Sequence, residues 1–123
     1  MAYTETSEYE YITGDQLEDY ACKTYANLIP SYSEAQVVAK ISMAERIINS
    51  IEGKSFSGTI PDRIITATTL LAERMMILQM IKDGHTIEIK KSVEEFMDYI
   101  IKTILKKNSN FTIQSFEMYP DYT

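Results

Sequence analysis

Two serine-based capping boxes constrain the fold of this chain most strongly. In residues 33–36 and again in residues 92–95, a serine is followed three positions later by glutamine or glutamate. In such a box the two side chains satisfy backbone N–H groups that the first helical turn leaves free. Apolar residues after the first box step by four and three, namely Val37, Ile41, Ala44, Ile48 and Ile51. This spacing predicts an amphipathic helix that runs to about Ser50 and stops at Gly53.

Two more helices precede and follow that one. Leu17, Tyr20, Ala21, Tyr25 and Leu28 recur at spacings of three and four. They predict a short helix over residues 15–28, with Thr13 or Asp15 as its N-cap. Residues 60–82 are apolar around most of the helical circumference, which is typical of a helix surrounded by neighbours. We expect Thr59 to cap this central helix.

A fourth helix is predicted after the second capping box. Its apolar face comprises Val93, Phe96, Met97, Ile100, Ile101, Ile104 and Leu105. The preceding residues 86–90 alternate between polar and apolar types, a pattern that fits a short strand and an extended loop equally well. The predicted fold is therefore mainly α, a small bundle of three long helices and one shorter helix, with a minor β element left open.

The 123 residues are enough for one domain with its own core. We divide the chain into an N-terminal arm (residues 1–12), a helical domain (residues 13–109) and an extended C-terminal tail (residues 110–123). The arm alternates tyrosines with acids and shows no helical period, so it is expected to be mobile in the free protein. Its contact candidates are Tyr3, Tyr9 and Tyr11. A plain disordered terminus is the alternative.

The C-terminal tail is apolar enough to bind a partner and too short to fold alone. It is expected to add a strand to this domain or to a neighbouring molecule. The residues that make it apolar, and that are its interface candidates, are Phe111, Ile113, Phe116, Met118, Tyr119 and Tyr122.

Charge is concentrated at the N-terminus. The formal net charge is −6, and residues 1–32 hold six acids against one base, whereas residues 33–123 are nearly balanced. Such a charge disfavours non-specific nucleic-acid binding and attachment to anionic membranes. The N-terminus lacks the apolar core of a secretory signal, so an intracellular protein without a membrane span is expected.

The residues offer little material for catalysis. His85 is the only histidine and Cys22 the only cysteine, which disfavours multi-histidine metal sites and nucleophilic triads. The tripeptide Ala-Glu-Arg occurs twice, around Glu45 and Glu73. Two such glutamates suit acid–base chemistry, but ion pairing between helices or subunits is favoured. We therefore expect no enzyme activity, no metal and no cofactor.

A family resemblance rests on residues 41–73. Here the helix end Ala44-x-x-x-Ile48-x-x-x-x-Gly53-x-x-Phe56 is followed by Ile60-Pro61-x-x-Ile64-x-x-Ala67-x-x-Leu70-Leu71-Ala72. This pattern, together with the order of the helices over residues 13–106, resembles the head–tail connector (head completion) proteins of tailed bacteriophages and related viruses.

The resemblance implies a structural virion protein rather than a catalyst. Such proteins form a ring of about a dozen identical copies beneath the portal protein, extend the DNA channel and dock the tail or stopper proteins. The family places the loop before the last helix in the channel, which here gives His85, Thr86, Glu88, Lys90 and Lys91. It also brings the C-terminal tail to the portal. DNA would pass without sequence-specific binding.

This assignment implies a location in the virion neck after assembly in the host cytoplasm. The main alternative is a small cellular helical adaptor or regulator that binds protein partners. A helix-turn-helix DNA-binding protein is disfavoured, because the predicted third helix has few bases and they are offset by acids.

Overall fold

The computed structural model describes residues 3–25 and 29–107, with side chains described outside residues 22–25. The described part contains four α-helices: α1 (Gly14–Tyr25), α2 (Glu34–Glu52), α3 (Asp62–Lys82) and α4 (Val93–Asp98). A 3-10 turn (Ile29–Ser31) precedes α2, and a π-helical segment (Tyr99–Ile104) continues α4. The prediction of a mainly helical bundle is confirmed.

Helix starts agree closely with the predicted caps. Ser33 accepts a hydrogen bond from the Gln36 N–H, and the Gln36 side chain accepts one from the Ser33 N–H, which completes the box on α2. The box at Ser92 is formed in the same way on α4. Thr13 caps α1 and exchanges side-chain bonds with Gln16, so a third box is present. Each box fixes where a helix begins through contacts that span three residues.

The ends of two helices differ from the prediction. Helix α3 begins at Asp62 with Pro61 in the N-cap position and no side-chain cap, so the expected Thr59 cap is wrong. The fourth helix is not one long α-helix, because after Asp98 it continues with π-helical geometry. Two helices are thus long and two short, where three long helices were expected. The described residues contain no strand, and residues 86–90 form the loop alternative.

Helix α3 is the centre of the bundle, as its composition predicted. It packs on α1, α2 and the π-helical segment. By length and mean hydropathy (1.4) it is apolar enough to cross a membrane, and half of its most apolar window is buried within the bundle. The largest fully buried side chains are Leu17, Ile29, Ile41, Ile47, Ile48, Ile64, Leu71, Met75, Met76, Met80 and Ile100. Five of these side chains (Ile64, Leu71, Met75, Met76 and Met80) lie on α3, as expected of a helix that is surrounded by neighbours.

The N-terminal segment also belongs to the packed structure. Residues 3–12, which we call the strap, have no helix or strand, yet Ser7, Tyr11 and Ile12 are buried. Tyr11 lies within the hydrophobic core, and Tyr3 and Tyr9 pack against it. The three aromatic contact candidates of the arm therefore contact this chain's own core, while the mobility of the arm stays a prediction.

Candidate interaction surfaces

Carboxylates on α1 and α2 bind the strap by accepting hydrogen bonds from its backbone. The Tyr3 N–H donates to Asp15 (3.1 Å), and the Thr4 N–H donates to Glu34 (2.6 Å). The N–H groups of Tyr9 and Tyr11 donate to Glu45 at 2.9 Å each. An extended segment outside a sheet must satisfy its buried N–H groups in some other way, and here acidic side chains serve as the acceptors.

Glu45 is the most buried of these acceptors. Its side chain is 0% exposed and also accepts a 2.6 Å hydrogen bond from the Ser7 hydroxyl. The three donors surround the carboxylate with polar groups, which offsets the cost of burying its charge. Ion pairing had been favoured for this glutamate, but its hydrogen bonds go to the strap. Its role is to hold residues 7–11 against α2.

Tyr11 joins the strap to the α2–α3 connection. Its ring is 3% exposed, and its hydroxyl donates to the Asn49 side chain (2.5 Å) and accepts from the Phe56 N–H (2.8 Å). The Tyr11 ring also meets the Phe56 ring edge-on at 6.0 Å and the Tyr9 ring at 5.7 Å. Burial raises the pKa of the Tyr11 phenol. Tyr9 and Tyr11 are thus intramolecular packing residues.

Tyr3 lies over the first turn of α1. Its hydroxyl donates to Glu18 (3.1 Å), and burial raises its pKa, with the neighbouring carboxylates adding to the effect. The Tyr3 ring covers Gly14 so closely that a Cβ there would overlap it. Gly14 therefore provides the space into which this end of the strap fits.

The start of α2 is an acidic part of the surface, which we call the acidic end. It comprises Glu5, Asp15, Asp19 and Glu34. Glu34 accepts from the Thr4 N–H and hydroxyl and from the Glu5 N–H, and these bonds, led by the Thr4 N–H, lower its pKa. Asp19 is exposed one turn beyond Asp15 on the same face of α1.

The opposite end of α2 is basic. This basic end comprises Lys54, Arg63, Lys106 and Lys107. Glu52, whose side chain is 1% exposed, pairs through one oxygen with Arg63 (3.0 Å) and Lys107 (3.5 Å), while its other oxygen is buried without a hydrogen-bond partner. Lys54 and Arg63 lie over the Phe56 ring at 5.0 and 5.7 Å, which adds a cation–π contact.

The predicted channel loop is exposed and its end is anchored. All of residues 81–92 are exposed apart from Ile87, including His85, Thr86, Glu88, Lys90 and Lys91. Arg74 on α3 donates to the Lys91 carbonyl (3.1 Å) and stacks on the Phe96 ring at 4.3 Å. The loop is therefore held where it meets α4.

A shallow groove of about 260 Å³ lies between this loop and α3. Glu73 lines it, and burial raises the pKa of that carboxyl, although Arg74 lies nearby. Ion pairing of Glu73, which the sequence favours, stays a prediction. Four large apolar side chains of the described residues are about two-fifths exposed, namely Tyr20, Ile81, Ile89 and Tyr99, and Ile89 lines this groove.

Two further points concern metal ligands and the C-terminal tail. No group of three or more histidine, cysteine or acidic side chains in the described residues is arranged to hold a metal ion. The tail candidates Phe111, Ile113, Phe116, Met118, Tyr119 and Tyr122 lie outside the described residues. Sequence reasoning missed the basic end, because its four bases are spread over residues 54–107 and only the fold brings them together.

Comparisons with protein-family models, curated proteins and solved structures find no match to this chain.

Proposed function

We propose that this chain is a structural subunit of the neck of a tailed virus. Copies would form a ring beneath the portal, extend the DNA channel and offer a docking face to the tail or to stopper proteins. The observation that carries the proposal is the exposed loop between α3 and α4, whose end is held by the Arg74–Lys91 hydrogen bond. A loop anchored in this way suits a channel lining, because it can project from a rigid subunit.

The resemblance over residues 41–73 supports the same proposal. The glycine of the connector pattern is Gly53, which ends α2 in a left-handed conformation (φ 76°). The Ile60-Pro61 step of the pattern lies directly before α3. The matching residues thus form the α2–α3 pair, the most extensively packed pair of helices in the bundle.

The charge of the subunit suits a channel through which DNA slides. At a net charge of −6, a ring of about a dozen copies is strongly negative and repels phosphate. The bases in the loop, Lys90 and Lys91, are too few to grip a duplex that carries one charge per about 1.7 Å. DNA would therefore be confined without being bound.

A pull-down with the portal protein encoded in the same genome tests the proposal. We expect the wild-type chain to bind portal and a chain truncated after Asn110 to fold but lose binding. A full-length chain with Phe111→Ser and Phe116→Ser should lose binding too, whereas Thr112→Ala with Gln114→Ala is the matched control that should keep it.

Size-exclusion chromatography with light scattering supplies the second measurement. Alone, the chain should be monomeric or weakly associating, and with portal it should elute as a large complex. A tight stand-alone dimer with no affinity for portal would contradict the proposal. Binding to a host protein instead of portal would favour the cellular adaptor.

A further inference from the structure

The two ends of α2 carry opposite charge. The acidic end surrounds the helix start at Glu34, and the basic end surrounds the helix end at Glu52. These two residues are 18 positions apart, which on an α-helix is roughly 27 Å. Since α2 is rigid and packed along its length on α3, the two ends cannot meet within one subunit.

At the basic end, four bases outnumber the acids. Glu52 is shared by Arg63 and Lys107 through a single oxygen, so it neutralises one charge at most. Lys54 faces an aromatic ring rather than an acid in the contacts described. Asp62 is exposed in the first turn of α3, and Glu10 lines a pocket beside Phe56, so with Glu52 three acids face the four bases. Glu8 lines the same pocket and is paired with Arg46. The basic end therefore keeps a positive charge.

At the acidic end, the carboxylates are bound mostly by uncharged groups. Asp15 accepts from the Tyr3 N–H, and Glu34 accepts from two backbone N–H groups and a hydroxyl. Such donors satisfy the oxygens and leave the negative charge in place. The Tyr32 hydroxyl, next to the start of α2, donates a 2.7 Å hydrogen bond to the Asp83 carboxylate. The negative charge of Asp83 is offset by the adjacent Lys82.

We propose that the acidic end of one copy docks on the basic end of the next copy. This rests on the proposed function, since it names the subunit contact of that ring. The complementary charge is present on the same chain, whereas a nucleic acid would be repelled by the net charge of −6. A contact between two different surfaces is head-to-tail, and repetition closes a ring when the rotation permits.

The long-range repulsion between negative subunits makes this contact weak in a pair. At physiological salt, charges further apart than about 8 Å are largely screened, so the local attraction dominates once the ends touch. Closing the ring then repeats the same contact between all neighbouring subunits, so the assembly is more stable than a single pair.

Two charge-reversed variants test the contact. The first, Lys54→Glu with Lys106→Glu, makes both ends acidic. The second, Glu5→Lys with Asp19→Lys, sets two lysines against Asp15 and Glu34 and so cancels the negative charge of the acidic end. Both variants keep Asp15, Glu34, Glu45 and the Glu52 ion pairs, and Glu5→Lys keeps the backbone N–H that donates to Glu34, so both should fold. Lys90→Glu with Lys91→Glu is a matched control that changes the net charge as much as the first variant does.

Self-association is measured by sedimentation equilibrium up to millimolar subunit. We expect wild type and the loop control to associate, and each variant alone to associate at least about tenfold more weakly, since its two ends no longer carry opposite charge. An equimolar mixture of the two variants should recover association between unlike copies, because the unaltered acidic end of the first variant meets the unaltered basic end of the second. Added salt should weaken wild type and mixture alike.

Three results would overturn the inference: a wild-type chain that stays monomeric throughout, reversed variants that associate like wild type, or a mixture that fails to recover. Portal pull-down of the same variants separates the two proposals. If the mixture recovers and neither the wild-type chain nor any variant binds portal, the contact stands and the neck function falls. If portal binding survives and the mixture fails, the contact falls alone.

Discussion

Replacing Glu45 by alanine should release the strap. Glu45 accepts hydrogen bonds from the Ser7 hydroxyl and from the N–H groups of Tyr9 and Tyr11, and its side chain is fully buried. A hydrogen bond to a charged group contributes about 1.5–3 kcal/mol, and a buried donor left unpaired costs a similar amount. Because the three bonds share one acceptor they are not additive, and we expect the free energy of unfolding to fall by about 3–5 kcal/mol.

The matched control is Glu73→Ala, which changes the other Ala-Glu-Arg tripeptide. Burial raises the pKa of the Glu73 carboxyl, so burial disfavours its charged form. Its removal should change the free energy of unfolding by less than about 0.5 kcal/mol or increase it. Both variants are measured by urea unfolding followed by circular dichroism.

Amide hydrogen exchange distinguishes release of the strap from general weakening. In Glu45→Ala, the Tyr9 and Tyr11 amides should exchange at rates near those of an unfolded peptide, while amides in the middle of α3 stay protected. The reasoning is refuted if Glu45→Ala loses less than about 1 kcal/mol and both strap amides keep their protection.

Three further changes probe the strap. Tyr11→Phe removes both hydrogen bonds of the hydroxyl and should cost about 1–3 kcal/mol in urea unfolding, and an unchanged midpoint would contradict this. Gly14→Ala favours the helix by up to about 1 kcal/mol, but its methyl displaces the Tyr3 ring, so the Tyr3 amide should lose exchange protection although the helix is retained. The lowered pKa of Glu34 means that its stabilisation is complete above its unfolded value of 4.5 and is lost as pH falls through the lowered pKa. Glu34→Gln should abolish that acid-dependent opening, measured by nuclear magnetic resonance of the strap amides.

The helix starts were predictable because their determinants are local. A capping box needs two residues three positions apart, and Ser33 with Gln36 forms it whatever the rest of the chain does. The Gly53 stop is equally local, since it depends on one residue that adopts positive φ without steric cost. The expected Thr59 cap failed because Pro61 takes the N-cap position, two residues further along.

The strap was not predictable because its hydrogen bonds join residues that are far apart in the sequence. Most of them also come from backbone N–H groups, which do not depend on the identity of the side chain. Ser7 and Glu45 are 38 positions apart, and the bonds from Tyr9 and Tyr11 come from backbone N–H groups that every residue except proline has. No pairing of residue types therefore marks the contact. The tyrosines were recognised as contact residues, but the surface they contact is this chain's own core.

The π-helical segment was not predictable from the sequence either. Its apolar spacing, with Ile100 and Ile101 both buried, also fits an ordinary α-helix. The Leu105 N–H bonds to the Ile100 carbonyl (2.9 Å), five residues back rather than four. Packing against α3 rather than local propensity decides between these two patterns, so only the folded structure reveals it.

The strap changes how the acidity of the N-terminal quarter should be understood. From the sequence alone, those acidic residues could all contribute negative charge to a ring around DNA. In the fold, Asp15 is occupied in binding the strap, as are Glu34 and Glu45 on α2. Their partners are mainly backbone dipoles rather than bases, so the hydrogen bonds that close the strap leave the surface at Asp15 and Glu34 negative. Asp15 and Glu34 therefore bind the strap and also contribute to the charged end through which a second copy is proposed to bind, whereas Glu45 binds the strap from within the core.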